Sequence, residues 1–151
     1  MRPIDLWLAY QDFPGPQARA ENGMTPLMRA AHHGEFEIVE ALLARGARAD
    51  AVDDEGRNAL WFACLHGAPG IILRLIAAGA PLDHADDEGI TCLMQAAAAG
   101  RVEVTRLLVA QGAALAPSAP DGRRAVDMAA DRARELLSMA QWRLGARERC
   151  A

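Results

Sequence analysis

The sequence has none of the short motifs that carry chemistry. It lacks a phosphate-cradling glycine loop, a CxxC pair, an H-E-x-x-H helix and a G-x-S-x-G elbow, so nothing positive points to catalysis or to a cofactor. Lysine is absent, all 16 basic residues being arginine, and the net charge is -4. Without a basic stripe, phosphate binding has no footing and nucleic acid is not the expected partner. No apolar run approaches the length of a membrane span. The N-terminal MRPIDLWLAYQD is interrupted by Asp5 and Asp12 and carries no small-residue cleavage site, unlike a secretory signal. Cys64, Cys92 and Cys150 are odd in number and far apart. That fits reduced thiols in the cytoplasm better than a disulfide framework. Aromatics make up only 5% of the residues while alanine is abundant, a composition suited to close packing of helix on helix.

What the chain does have is a beat. GMTPLMRAAHHG at 23–34 returns as GRNALWFACLHG and again as GITCLMQAAAAG, each 33 residues after the last. All but two of the 13 glycines fall on three ladders: Gly23, Gly56, Gly89 and Gly122; Gly34, Gly67 and Gly100; Gly46, Gly79, Gly112 and Gly145. Such a period signals a repeat architecture. With 151 residues and 52% hydrophobic content the chain can bury one continuous core.

Within a period the spacing predicts two short helices and a turn. Thr25, Asn58 and Thr91 cap a first helix with an inward column of Leu27, Leu60, Leu93 and Val126. Small pairs follow it: Ala30-Ala31, Ala63-Cys64, Ala96-Ala97 and Ala129-Ala130. A second helix carries Ile38, Ile71, Val104 and Leu137, then Leu42, Leu75 and Leu108, then Leu43, Ile76, Val109 and Trp142 on one face. ARADAVDDEG and APLDHADDEG then run polar and extended, as projecting hairpins do. Neither helix is stable alone, so stacking must bury the apolar faces, and the fold expected is an all-α solenoid of helix-turn-helix units.

These residues resemble ankyrin repeats. The G-x-T-P-L-x-x-A-A pattern at Gly23 to Ala31, the IVEALLARGA segment at Ile38 to Ala47 and the period of 33 carry the likeness over residues 21 to 150. It implies helix–turn–helix units with finger-like hairpins and a concave groove that binds another protein. Repeats are expected at about 23–55, 56–88, 89–121 and 122–151, after an N-terminal cap and linker at 1–20. The departures lie in the T-P-L proline, kept only as Pro26, and in the fourth unit, where Arg124 and Ala133 replace Thr and Gly. Aligning back from Gly23 sets Leu6, Ala9 and Tyr10 of the capping helix under Val39, Leu42 and Leu43, with Pro3 at its start. At the other end Gln141, Arg134, Arg143, Arg147 and Arg149 make the last helix polar, while Leu136 and Met139 leave apolar surface open.

The resemblance turns Arg29, His32, His33, Phe62, Leu65, His66, Gln95, Ala98 and Ala99 toward the groove, flanked by finger residues Met24, Arg57 and Ile90. Phe62, Leu65 and Ile90 would then form a central apolar anchor with a charged rim, as interfaces do; packing between repeats is the plainer alternative. Trp61 falls in an interior column. Asp50, Asp53, Asp54 and Glu55 recur as Asp83, Asp86, Asp87 and Glu88, eight of the 20 acidic residues on two fingers. Asp50 and Asp53 with their counterparts suit local turn hydrogen bonds, leaving Asp54, Glu55, Asp87 and Glu88 as a rim to steer a basic partner. His33 and His66 share a column and could lean toward one ion, but no third ligand is evident and no metal or cofactor is expected. The function expected is non-enzymatic binding of a partner protein, with no nucleic acid or membrane, by a monomer. The rivals are an inhibitor or immunity-type protein that blocks one enzyme, a metal or catalytic protein using His33 and His66, and a structural protein that self-associates through its C-terminal helix.

Overall fold

A computed structural model of the protein describes residues 2–129 and 131–149, and the chain divides into two compact units, Met1–Pro81 and Leu82–Ala151. The first unit holds α1 (Pro3–Tyr10), α2 (Pro26–His33), α3 (Phe36–Ala44), α4 (Ala59–His66) and α5 (Pro69–Ala77). Thr25 Oγ1 accepts the Met28 amide at 3.2 Å and Asn58 Oδ1 accepts the Trp61 amide at 2.9 Å, which starts α2 and α4 where the spacing predicts. Both helices stop at a left-handed glycine, Gly34 and Gly67. Their inner faces bury Leu27, Leu60, Ala30, Ala31, Ala63 and Cys64 completely or nearly so, and the outer helices bury Val39, Leu42, Ile72 and Leu75. Each Val, Leu or Ile among them contributes about 1.5–3 kcal/mol on burial, which helices of eight or nine residues need to be stable.

The second unit holds α6 (Cys92–Ala98), α7 (Val102–Ala110), α8 (Ala125–Met128) and α9 (Asp131–Arg149). Thr91 Oγ1 caps α6 through the Met94 amide at 3.2 Å. Leu93, Ala96 and Ala97 repeat the inner core and Val104 and Leu108 the outer one. Thr105 takes the place of Val39 and Ile72, and its buried hydroxyl is satisfied by donating to Arg101 O at 2.8 Å.

The hairpins between the helix pairs are closed by single antiparallel bridges, Val52 to Asn58, Ala85 to Thr91 and Ser118 to Arg124. Their tips share one hydrogen-bond pattern: Asp53 N to Arg57 O, Asp86 N to Ile90 O, Ala119 N to Arg123 O and, in the opening turn, Ala20 N to Met24 O. Asp53 and Asp86 lock the tip, each Oδ1 accepting two amides downstream. Where alanine stands instead, a carbonyl-bearing side chain two residues on takes over: Asn22 Oδ1 accepts from Met24 N and Asp121 Oδ1 from Arg123 N.

Several expectations need correction. α1 forms over the expected residues, but it buries Ile4 and Leu8, while Leu6 and Tyr10 are 58% and 85% exposed and Ala9 is exposed too. The Val39 and Leu42 column faces an inner helix, and α1 has none. Its packed face is instead the one turned to α3, where Arg45 pairs with Asp5 at 2.7 Å and Glu35 accepts the Trp7 indole at 2.7 Å. In the fourth unit the turn moves: α8 spans only four residues, α9 starts at Asp131 and Ala133 is buried inside it. Gly145, expected at a helix end, sits within α9, and Trp142, expected on the apolar face, is 68% exposed. Val126, Ile38, Leu43, Ile76 and Val109 are half-buried rather than interior. Trp61 is likewise partly exposed, whereas Met28 and Met94 of the same column are buried. Ala130, Cys150 and the side chain of Arg149 lie outside the described residues.

Candidate functional site

In the first unit, α2 and α4 end side by side and carry the residues expected to face a groove. Gly34 and His66 meet closely: a Cβ at Gly34 would collide with the His66 imidazole. Gly34 is also left-handed, with φ at 73°, so the position suits glycine twice over. The His32 ring lies 5.4 Å from the Phe62 ring and 5.8 Å from that of His33. His33 Nδ1 approaches Glu35 Oε1 at 3.3 Å. Burial holds the His32 imidazole below the usual histidine range, aided by the positive charge of His33, His66, Arg29 and Arg57 around it.

Arg57 is the best-anchored of these groups. Its guanidinium meets Asp53 Oδ2 at 2.9 and 2.8 Å and Glu55 Oε2 at 3.0 Å. It lies 5.1 Å from the Trp61 ring centroid and 5.0 Å from that of Phe62, and the two rings meet edge to face. The Asp53 carboxylate is fully buried, and the amides of Glu55 and Arg57 fill its remaining acceptor positions. A buried carboxylate bound this completely fixes the arginine in place. Arg29 reaches the other way, donating to Gln11 Oε1 at 3.2 Å with its guanidinium 5.4 Å from the Phe13 ring. Gln11 and Phe13 escaped the sequence reading because they belong to the linker, outside the ladder.

The anchor expected from Phe62, Leu65 and Ile90 is not an open apolar spot. Phe62 is 2% exposed beneath Arg57 and His32, and Met24 is buried. Leu65 is the apolar groove residue of this unit that keeps partial exposure. Ile90 belongs to the second unit, half-buried, its amide held by Asp86; Gln95, Ala98 and Ala99 are in that unit too. Of the finger carboxylates expected to make local turn hydrogen bonds, Asp53 and Asp86 do so, whereas Asp50 and Asp83 bind elsewhere. Asp50 pairs with Arg48, Asp83 accepts the Ala114 amide at 2.7 Å, and Asp53 and Asp86 lock their fingers. Asp54, Asp87 and Glu88 are exposed, and Glu55, though exposed, pairs with Arg57. Among the described residues no group of three or more His, Cys, Asp or Glu is gathered as metal ligands, and Cys64 and Cys92 are buried and not joined in disulfides. No described helix is long and apolar enough to cross a membrane.

Capped helix pairs, left-handed stops and bridged fingers at a constant interval leave one architecture. A model of ankyrin repeats in three copies matches residues 6–86, and one of many ankyrin copies matches residues 67–109. The chain belongs to the ankyrin-repeat family. Ankyrin repeats are all-α and generally serve protein–protein interaction, and the family is typically non-catalytic. No curated protein matches the chain. The fourth ankyrin unit, with its four-residue first helix, lies beyond the matched residues.

Proposed function

We propose that this ankyrin protein binds a partner protein through its groove side, as a cytoplasmic adaptor without chemistry of its own. The observation that carries the reading is the Arg57 assembly: a guanidinium fixed by Asp53 and Glu55 over Trp61 and Phe62, with His32 beside it. Its ordering cost is met in the free protein, so a partner finds a formed surface. Arginine over aromatics, with half-exposed Leu65 nearby, is the residue mix of interface hot spots. Capture of the native partner should fall at least tenfold in Arg57→Ala, Arg29→Ala and Leu65→Ala while circular dichroism stays native-like. Glu37→Ala and Glu103→Ala, on the outer helices, should leave it intact. The reverse pattern would remove the interface from the groove.

Self-association through α9 is the second reading. Met139, Trp142 and Leu144 are 53%, 68% and 50% exposed on this one helix, and large apolar side chains exposed together mark an interaction surface. Sedimentation velocity should then show a concentration-dependent dimer that Trp142→Glu abolishes. A monomer at every concentration would remove this reading.

A further inference from the structure

The charge balance around the α2 and α4 ends says what kind of segment the groove takes. Five cationic or titratable groups share this face: Arg29, His32 and His33 from α2, His66 from α4 and Arg57 from the finger, all within electrostatic reach of His32. Three carboxylates stand against them: Asp53 and Glu55 on the finger, and Glu35 in the turn after α2. With the imidazoles neutral, two guanidiniums face three carboxylates and the patch carries one net negative charge. With all three imidazoles protonated it carries two positive charges. Protonation of the imidazoles therefore turns the sign of the patch from negative to positive.

The carboxylates are also poorly placed to compete with a ligand. Asp53 is fully buried with its acceptor positions filled. Glu35 is shared between His33 and the Trp7 indole. Arg29 has a neutral amide, that of Gln11, as its hydrogen-bond partner, so its charge is not cancelled at contact. The three imidazoles lie in the last turns of α2 and α4, where the helix dipole favours positive charge.

We propose that this face binds an acidic peptide segment, a run of carboxylate side chains, and takes up protons as it does so. The inference rests on the groove reading above and gives the partner its chemistry. Of the finger carboxylates expected to steer a basic partner, Glu55 is held by Arg57, while Asp54, Asp87 and Glu88 are exposed, the last two in the second unit. A carboxylate set among His32, His33 and His66 stabilises their protonated forms. By linkage, binding must then tighten as the pH falls, up to tenfold per pH unit for each proton taken up.

The test is an NMR titration of the whole protein, following the imidazole resonances, with a blocked hexaglutamate peptide and with a blocked hexalysine peptide at pH 7.5 and 5.5. Hexaglutamate affinity should rise at least tenfold between the two pH values, with the His32 and His66 resonances shifting and their titration midpoints moving up in the complex. Hexalysine should not bind at pH 5.5. His66→Gln and His33→Gln, at exposed positions, should each reduce the pH dependence, and Arg29→Gln should weaken binding at both pH values without changing it. Hexaglutamate affinity that is the same at both pH values, imidazole resonances that do not move, or equal binding of hexalysine at pH 5.5 would each overturn the proposal. Loss of native-partner capture in Leu65→Ala tests the groove reading separately, so an interface without acid preference and an acid-binding face without a native partner give different results.

Discussion

Asn58 stands where the neighbouring repeats have Thr25 and Thr91, and the difference has a stability cost that can be measured. All three side chains cap a first helix, and all three residues are buried, Asn58 to 1% exposure. A threonine does this with one oxygen. Asparagine brings a second polar atom, and Asn58 Nδ2 finds no acceptor among the described residues. Exchanging the two ends of the amide does not help, because the cap needs an oxygen facing the Trp61 amide. A buried donor left unpaired costs about 1–3 kcal/mol, and threonine gives up at most a few tenths as a cap. The backbone at Asn58 is extended, as it is at Thr25 and Thr91, so a β-branched side chain fits. Asn58→Thr should therefore stabilise the protein by about 1–2 kcal/mol and raise Tm by about 3–6 °C in a calorimetric melt. Thr25→Asn and Thr91→Asn should lower it by a similar amount. A Tm that falls or stays put in Asn58→Thr would mean that the amide is satisfied in solution, and the reasoning would fail.

Asp53→Asn keeps the side chain's shape but removes the charge that fixes Arg57, and should cost about 2–3 kcal/mol in urea unfolding; the same change at exposed Asp54 should cost under about 0.5 kcal/mol. Leu75→Ala, in the fully buried outer column, should cost about 3–4 kcal/mol and exceed Trp61→Ala, since Trp61 is partly exposed and its buried indole nitrogen lacks an acceptor among the described residues; the opposite order in thermal melts would reverse the burial assigned to the two columns. Stability should also fall on mild acidification. Because burial holds His32 below the usual histidine range, the unfolded chain takes a proton from about pH 6.5 downward before the folded one does, and the loss levels off once the folded imidazole protonates too. His32→Asn should flatten that part of a urea series between pH 7.5 and 5.5. At lower pH a second loss should follow as Asp5, held down chiefly by its hydrogen bond to Arg45, protonates together with Asp50, Asp121 and Asp127, which are held down likewise, and Asp5→Asn should remove only its own share.

The parts of the fold legible in the sequence were those tied to the glycine ladder. Caps at Thr25, Asn58 and Thr91, stops at Gly34 and Gly67 and the Leu42, Leu75 and Leu108 column all depend on contacts that recur within every full unit. Some misreadings fall within full units, where Ile38, Leu43, Trp61 and Ile76 are half-buried rather than interior, and others in α1 and the fourth unit. α1 occupies the expected residues, yet without an inner helix beside it Leu6 has nothing to pack on, and Ile4 and Leu8 turn to α3 instead. At the candidate site, the period assigned Phe62 to the groove side, and that residue is 2% exposed. The period could not show that Arg57 and His32 close over the ring, because that depends on Asp53 drawing Arg57 inward through a bond specific to this finger. Asp86 locks the next finger in the same way, but the residue in Arg57's place there is Ile90. Gln11 and Phe13 were beyond any periodic argument.

Gly34 and Gly145 show how far the ladder itself can be followed, since sequence spacing alone treats them alike and the structure gives their replacement opposite signs. At Gly34 the backbone is left-handed, with φ at 73°, and a methyl group would strike the His66 imidazole. Gly34→Ala should cost about 1–2 kcal/mol for the backbone alone, and somewhat more for displacing His66, with the His66 NMR resonance shifting as the ring moves. Gly145 lies inside α9 instead, where glycine serves no turn and weakens the helix by about 0.5–1 kcal/mol relative to alanine. Gly145→Ala should therefore raise helicity at 222 nm on heating and stabilise the second unit by that amount. A destabilised Gly145→Ala, with the same strain signature as Gly34→Ala, would mean that the chain turns at Gly145 as the ladder predicts, and α9 would then end as the outer helix of an ordinary repeat rather than running on through it.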